Sequence, residues 1–251
     1  MTPAPWEPLD FDTAFFGCRI ARVTAPLPDA AHARELARSA DAAGVACLYA
    51  LLDAGEAAGL GALEDAGFRV VDVRLTLARP LAEAPGGGEP GRAREVRLAE
   101  PSDLPGLQAI ARESHRDSRF WADPHFPRER CGALYARWIE RKCLGGAAAV
   151  FVLGAPGAPE GYLSCDLNPD ASGQIDLIGI AESLRRRGRA SALTCHALAF
   201  LRREGRERAL VVTQGRNSRA LRHFGRHGFA TARVQLWLHR WREGARAGEL
   251  R

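Results

Sequence analysis

The 251-residue chain lacks several features that would assign it to a special class of protein. Lys142 is its single lysine, so nearly all of its 35 basic side chains are arginines. Its six cysteines show no CxxC or other close metal-binding spacing, which predicts reduced, buried thiols. No run approaches the roughly 20 apolar residues of a membrane span, and residues 1–8 lack a signal-peptide pattern. We therefore expect a cytoplasmic protein without a membrane partner.

The positive charge of the chain does not indicate a nucleic-acid-binding protein. The formal net charge is +5, but the arginines are spread out and interleaved with acidic residues, except at 185–189. A nucleic-acid-binding surface would show a stripe of basic residues with aromatic residues beside it. We therefore expect no nucleic-acid partner and interpret the cluster at 185–189 as a local anion site.

The chain divides at a segment rich in glycine and proline, residues 84–94, which predicts a linker. The predicted domains are therefore residues 1–83 and 95–251. Apolar periodicity predicts helices at 31–43, 59–66, 102–113, 130–142, 191–203 and 218–227. It predicts strands at 45–52, 68–77, 147–153, 160–166, 174–180, 209–213 and 231–241. This mixture of elements predicts an α/β (α+β) fold.

The turn before the predicted helix 191–203 has the features of a phosphate site. It reads Arg185-Arg186-Arg187-Gly188-Arg189-Ala190 and follows the predicted strand 174–180. The first amides of a helix have no partner within the helix and carry partial positive charge, so they attract anions. Arginine adds forked donors that suit phosphate. A solvated basic helix start is the alternative. The P-loop and GxGxxG motifs are both missing.

Two motifs together resemble those of the GCN5-related N-acetyltransferases (GNAT). They are Arg185-x-x-Gly188-x-Ala190 after a strand, and Asn217-x-x-Ala220 with Phe224 and Gly228-Phe229 further on. The first matches the family pattern [RQ]xxGx[GA], and the second matches the strand, helix and Gly-Phe that follow in the family. The resemblance implies a GNAT fold, in which a mixed central sheet is flanked by helices.

The resemblance extends over nearly the whole chain to one subgroup of the family, that of the dTDP-fucosamine acetyltransferases. The matching segments are Phe15-Phe16-Gly17, 66–72, Ser118-Arg119-Phe120 with Asp123, and Tyr135-x-x-Trp138-Ile139. In that subgroup a vestigial, GNAT-like N-terminal half precedes a complete acetyltransferase domain. The resemblance therefore implies the same organisation here, with an amino sugar nucleotide as the favoured acceptor.

The resemblance also implies which residues hold acetyl-CoA. Amides of about 186–191 would bind the pyrophosphate, and the backbone of Ile178 and Ile180 would pair with the pantetheine arm. Asn217 would also bond that arm. The complete implied set is Ile178, Gly179, Ile180, Arg185, Arg186, Arg187, Gly188, Arg189, Ala190, Ser191, Asn217, Ala220 and Phe224.

The catalytic groups are harder to assign from the sequence. Strand alternation predicts that Asp176 shares a face with Ile178 and Ile180, which makes it a candidate base. Asp166 and His196 are weaker alternatives. The family usually has a tyrosine at the position of Phe224, whose hydroxyl protonates the departing thiolate. Phenylalanine lacks that proton, so His223 is a candidate acid.

Two further groups of residues have two interpretations each. His223 and His227 are four residues apart and could share a metal, but without a third ligand we interpret them as exposed and expect no metal. A second group is predicted to form the wall of an acceptor pocket, or else aromatic core with an ion pair between Arg119 and Asp123. That group is Arg119, Phe120, Asp123, Tyr135 and Trp138.

Together these observations predict an N-acetyltransferase that moves an acetyl group from acetyl-CoA directly to a primary amine of a small molecule. The loss of the expected tyrosine at Phe224 motivates an alternative, a non-catalytic or weakly catalytic acyl-CoA-binding module. Assembly as a homodimer is left open.

Overall fold

The computed structural model describes residues 5–24, 29–82, 96–185 and 188–248. Its helices are α1 Asp10–Phe16, α2 Ala30–Ala42, α3 Ala57–Asp65, α4 Leu104–Glu113, α5 Arg119–Ala122, α6 Arg128–Arg141, α7 Arg189–Arg203 and α8 Ser218–Arg226. Its strands are β1 Trp6–Pro8, β2 Ile20–Val23, β3 Cys47–Asp53, β4 Arg69–Pro80, β5 Val96–Leu98, β6 Ala149–Ala155, β7 Ala158–Leu167, β8 Ser172–Ile180, β9 Arg208–Gln214 and β10 Ala230–Trp241. Every helix and strand predicted from periodicity is confirmed, with ends that agree to within three residues.

The chain forms two compact units, each built from more than one segment of the sequence. Unit 1 contains Met1–Arg74, Asp117–Arg130 and Arg233–Arg251, and unit 2 contains Leu75–Arg116 and Cys131–Ala232. Unit 1 thus includes two later segments, one of which carries α5 and the other most of β10. The predicted linker, 84–94, lies outside the described residues, so the division into 1–83 and 95–251 stays a prediction.

Unit 1 is a five-stranded sheet with helices packed against it. The strand order is β1-β2-β3-β10-β4, with β2 parallel to β3 and β10 antiparallel to β3. Its apolar core joins Leu36 of α2 and Leu63 of α3 to Leu48 and Leu238 of the sheet. The side chain of Asp29 caps α2 by accepting bonds from the amides of Ala31 and His32, which supports the helix start.

Unit 2 has the strand order β4-β9-β8-β7-β6-β5. Strands β5 to β8 are antiparallel neighbours, and β8 and β9 are parallel. One face of this sheet packs on α7, where Leu193 and Leu198 meet Phe151 and Ile175. We call it the α7 face. The other face packs on α4 and α6 through residues such as Leu107, and we call it the α4/α6 face.

Candidate functional site

The parallel pair β8 and β9 separates part-way along its length. The two strands pair from Ser172 opposite Arg208 to Ile175 opposite Val211, although both continue beyond that point. On the other side of β8, Cys165 of β7 lies opposite Ile175 and Leu163 lies opposite Ile178. Asp176 and Leu177 therefore lie opposite the single residue Ser164. This arrangement of two residues against one is a β-bulge. A bulge bends its strand, so β8 diverges from β9 after residue 175; we call the gap between 176–180 and 212–214 the opening.

Backbone groups of β8 point into the opening. The amide of Ala181 donates to the carbonyl of Glu160 on the β7 side at 2.9 Å. Hydrogen-bonding direction alternates along an antiparallel strand, so Gly179 also faces β7, whereas Ile178 and Ile180 face away from it. Arg185 confirms this direction, because its Nε donates to the carbonyl of Ile180 at 3.3 Å. The amides of both isoleucines and the carbonyl of Ile178 thus face an extended ligand, whereas the carbonyl of Ile180 already accepts from Arg185.

The start of α7 lies close to the end of β8 in sequence and has an unusual backbone. Gly188 is the residue before the helix and has φ +74°, a left-handed conformation that favours glycine. The amides of Ser191 and Ala192 bond to the carbonyl of Gly188. The amides of Arg189 and Ala190 come before them in the first turn, where a helix supplies no partner of its own.

The arginines of this turn differ in their surroundings. The side chain of Arg189 contacts the carboxylate of Glu160. Arg185 bonds the end of β8 and lies 3.4 Å from Glu182. Arg186 and Arg187, which the sequence also assigned to the cofactor site, lie outside the described residues.

Helix α8 begins at Asn217 and follows the end of β9. The Oδ1 atom of Asn217 accepts a bond from the amide of Ala220 at 3.0 Å and so caps the helix. Its carboxamide nitrogen, a donor, takes no part in that cap. Phe224 is buried in the core on the α7 face, with its ring centroid 5.3 Å from that of Phe229.

The interpretation of His223 and His227 as exposed is wrong, because both pack against α7. His223 Nε2 lies 2.9 Å from the hydroxyl of Thr194, and His227 Nε2 lies 3.1 Å from that of Ser191. Burial is the main reason that the pKa of His223 falls to about 4 and that the pKa of His227 is also lowered. The hydroxyls of Thr194 and Ser191 are uncharged hydrogen-bond partners of the two imidazoles. Because His223 is uncharged at neutral pH, it is a weak proton donor to a thiolate.

Asp176 does not share a face with Ile178 and Ile180, so that prediction is wrong. The bulge adds one residue to the strand, which breaks the alternation between 175 and 178. Ile178 and Ile180 pack on the α7 face, and Asp176 lies on the α4/α6 face. There Lys142 Nζ lies 2.8 Å from Asp176 and 2.6 Å from Asp166. Burial opposes the charge of Lys142, but the bonds to the two carboxylates raise its pKa.

An aromatic cluster with one histidine lies on the α4/α6 face. The imidazole of His115 stacks on the ring of Tyr135 with centroids 4.4 Å apart, and Trp138 meets Tyr135 edge-on at 4.9 Å. His115 Nε2 lies 3.1 Å from the hydroxyl of Tyr162. Tyr162 in turn lies against Gly179, where an added Cβ would come within 2.6 Å of the ring. The cluster therefore contacts β8 next to the opening.

The other predicted acceptor residues belong to unit 1 and form a network of their own. Asp123 Oδ2 accepts bonds from His239 Nδ1 at 2.7 Å and Trp241 Nε1 at 2.8 Å, and its Oδ1 accepts from the amide of His125. Arg119 donates to His239 Nε2 at 2.7 Å. Arg119 and Asp123 are thus joined through a histidine, and the predicted direct ion pair is wrong.

Electrostatics explain why this network can be buried. Burial would raise the pKa of Asp123, but the bonds from His239, Trp241 and the amide of His125 hold it below its usual range. Burial lowers the pKa of His239 to about 4, so it is neutral and can donate to Asp123 while accepting from Arg119. The guanidinium carbon of Arg119 lies 4.0 Å from the ring centroid of Tyr49 and 4.1 Å from that of Phe120.

Sequence reasoning did not identify His115, Tyr162 or Lys142 as site residues. His115 and Tyr162 belong to no motif, and only the fold of unit 2 brings them together. Lys142 did carry a signal, because it is the single lysine of an arginine-rich chain.

Among the described residues, no group of three or more histidine, cysteine or acidic side chains could hold a metal ion. Within the same residues, no helix has the length and apolarity needed to cross a bilayer.

Comparison with known proteins gives the family of this chain. The model of the acetyltransferase (GNAT) family matches residues 107–229. The dTDP-fucosamine acetyltransferase of Escherichia coli O6:H1 is 30% identical over 242 residues, which cover 93% of this chain and 97% of that protein. The spore coat polysaccharide biosynthesis protein SpsD of Bacillus subtilis is 27% identical over 147 residues, 59% of this chain and 50% of that protein.

A solved structure supports the same fold. The GCN5-related N-acetyltransferase from Sphaerobacter thermophilus has a TM-score of 0.65 to this chain at 14% identity. The match covers 94% of this chain and 76% of that one. At this identity the likeness establishes the fold alone, which confirms the predicted mixed sheet with flanking helices.

The network around Asp123 predicts a structural role for that residue. Asp123→Asn replaces one acceptor oxygen by a donor that must face an N–H group, so we expect a loss of about 2–3 kcal/mol in the free energy of unfolding. Chemical denaturation measures the loss. The control is Asp65→Asn, since Asp65 is exposed and lies 3.6 Å from Arg34 at the surface, where ion pairs contribute little.

Acetyl-CoA affinity, measured by calorimetry, should stay unchanged in both variants. An Asp123→Asn protein of unaltered stability would contradict the structural role and favour the acceptor pocket instead.

Proposed function

Because the chain belongs to the GNAT acetyltransferase family, we propose that it transfers an acetyl group from acetyl-CoA directly to a primary amine of a small molecule. The opening beside the bulge in β8 carries this proposal. It turns the backbone of Ile178 and the amide of Ile180 away from β7 and toward an extended chain, and the pantetheine arm of coenzyme A has amides that suit such pairing.

The residues around the opening suit the pyrophosphate and the thioester of acetyl-CoA. The amides of Arg189 and Ala190 at the start of α7 would hold the pyrophosphate, with Arg185 as a charged neighbour. An amide of β8 would donate to the thioester oxygen, which gains negative charge as the amine attacks. When bound, acetyl-CoA supplies the activated acyl group. This requirement for acetyl-CoA also leads us to place the reaction in the cytoplasm.

The favoured acceptor in this proposal is an amino sugar nucleotide. Support comes from the relative named a dTDP-fucosamine acetyltransferase, which aligns with nearly the whole chain. The second relative is named for polysaccharide biosynthesis, which is also sugar chemistry. On the α4/α6 face, the half-buried Trp138 offers an aromatic surface for a sugar ring, and the buried Tyr135 packs beside it. Asp123 is unsuited to bind an acceptor, because its two oxygens already accept bonds within unit 1.

The leaving thiolate departs without help from the side chain at position 224. Phe224 has no proton to give and is buried among apolar residues. A thiol has a pKa near roughly 8.5, so its anion is a tolerable leaving group. General acid catalysis is worth typically 10²–10⁴-fold, so we expect a slower reaction than in relatives with tyrosine there. The alternative function, an acyl-CoA-binding module, rests on the same residue.

Acetyl-CoA binding can be tested at Gly188 with two variants that differ mainly in charge. Asparagine and aspartate have the same shape and both tolerate the left-handed backbone found there better than most residues. Gly188→Asp places a negative charge beside the proposed pyrophosphate, whereas Gly188→Asn does not. We expect at least a tenfold greater loss of acetyl-CoA affinity in the aspartate variant, measured by calorimetry. Equal affinities would contradict the assignment of this turn.

Transfer itself is tested by release of free thiol from acetyl-CoA in the presence of dTDP-fucosamine, glucosamine, amino acids or peptides with a free N-terminus. We expect dTDP-fucosamine to give the highest kcat/KM. A protein that binds acetyl-CoA but acetylates none of these amines would favour the acyl-CoA-binding module. A preference for peptides would refute the sugar acceptor while leaving the transferase in place. Light scattering on the same sample tests the homodimer.

A further inference from the structure

His115 has a backbone conformation that costs energy. It follows the end of α4 and has φ +59°, a left-handed value that non-glycine residues rarely adopt. Among the described residues, Ala171 alone shares this property. Such conformations cost of order 1–3 kcal/mol and persist where surrounding contacts hold them. The position of His115 is therefore maintained by its neighbours.

Those neighbours fix the imidazole ring in two directions. The ring of Tyr135 lies parallel to it at an angle of 11°, and the hydroxyl of Tyr162 bonds Nε2. The second nitrogen, Nδ1, has no hydrogen-bond partner among the residues that the structure describes. When Nε2 carries the proton and donates a hydrogen bond to the hydroxyl of Tyr162, Nδ1 carries a lone pair and can accept a second proton. Part of the surface of His115 remains exposed, although the imidazole itself is well surrounded.

The ring also lies close to the proposed path of the thioester. Tyr162 lies opposite Gly179 in the β7–β8 register, and its ring covers the glycine backbone. Gly179 stands between Ile178 and Ile180, whose backbone faces the opening. His115 is thus separated from the cofactor strand by one side chain. Asp176 lies on the α4/α6 face with His115, and its negative charge acts to raise the pKa of the imidazole.

We propose that His115 is the catalytic base of this chain and that Tyr162 is the residue that positions it. This inference rests on the proposed function, since it names the group that deprotonates the acceptor amine. The amine nitrogen bonds to the acetyl carbon, the proton moves from that nitrogen to His115 Nδ1, and the carbon–sulfur bond breaks to release the thiolate. His115 then releases this proton to water and returns to its neutral form.

The electrostatics of the cluster agree with this role. Burial lowers the pKa of His115 to about 4, so the imidazole is neutral, and therefore able to accept a proton, at neutral pH. The nitrogen becomes more acidic as it bonds to the carbonyl carbon, which eases transfer of its proton to a weak base. The negative charge of Asp176 favours the imidazolium that results. Asp176 itself is paired with Lys142, whose Nζ lies 2.8 Å from its carboxylate.

The experiment removes the imidazole and then returns it from solution. His115→Gly suits the left-handed backbone and leaves a ring-sized space between Tyr135 and Tyr162. We expect kcat to fall by about 100-fold or more, since general base catalysis contributes typically 10²–10⁴-fold. Free imidazole should restore transfer, whereas pyrazole, which has the same size and is much less basic, should not. A purely structural role would respond equally to the two rings.

Two further variants separate the base from its support. His115→Asn tolerates the backbone and cannot act as a base, so it should lose activity like the glycine variant. Tyr162→Phe keeps the ring over Gly179 but frees the imidazole, so it should lower kcat less and respond to neither ring. Acetyl-CoA affinity should be unchanged in all three proteins, which shows that the site is folded.

The outcomes distinguish this inference from the proposed function. The probe is the amine with the highest turnover in the thiol-release assay. Unaltered kcat in His115→Gly, or equal rescue by imidazole and pyrazole, overturns the role of His115 alone. Failure of the unaltered protein to acetylate any amine overturns the transferase, and the assignment of a base is then wrong with it.

Discussion

The β-bulge at Asp176 and Leu177 is the local feature on which the site of unit 2 depends. One extra residue in β8 ends its pairing with β9 at Ile175. Without it, the backbone of Ile178 and Ile180 would continue the parallel ladder and could not receive a ligand. Loss of a few ladder bonds is costly for a sheet, and a ligand that adds a strand would replace them.

The bulge also divides the chemistry between the two faces of the sheet. It sends Ile178 to the α7 face, where the helix start and Gly188 suit a phosphate group. It leaves Asp176 on the α4/α6 face, near His115 and the aromatic cluster. In the proposed reaction, acetyl-CoA held from one face would meet an acceptor that approaches from the other. In unit 1, the buried carboxylate of Asp123 has its hydrogen bonds satisfied within that unit.

Much of the fold followed from periodicity, because the longer helices and strands carry clear apolar faces. Short elements such as α5 and β5 were missed, since three or four residues give no period to detect. The two motifs predicted a cofactor turn at 185–190, because phosphate binding depends on a local sequence, and that assignment stays a prediction. The face predicted for Asp176 was wrong because a bulge has no sequence signal. His115 and Tyr162 are distant in the chain, so only the folded structure joins them.

Hydrogen exchange at the amides of β8 tests the central claim most directly. The account predicts that saturating acetyl-CoA will slow exchange at Ile178, Ile180 or both, because their backbone faces the opening. It predicts little change at Gly179, because that amide already faces β7. Exchange at Ile178 and Ile180 that stays the same with bound acetyl-CoA would contradict the claim that this opening holds the cofactor.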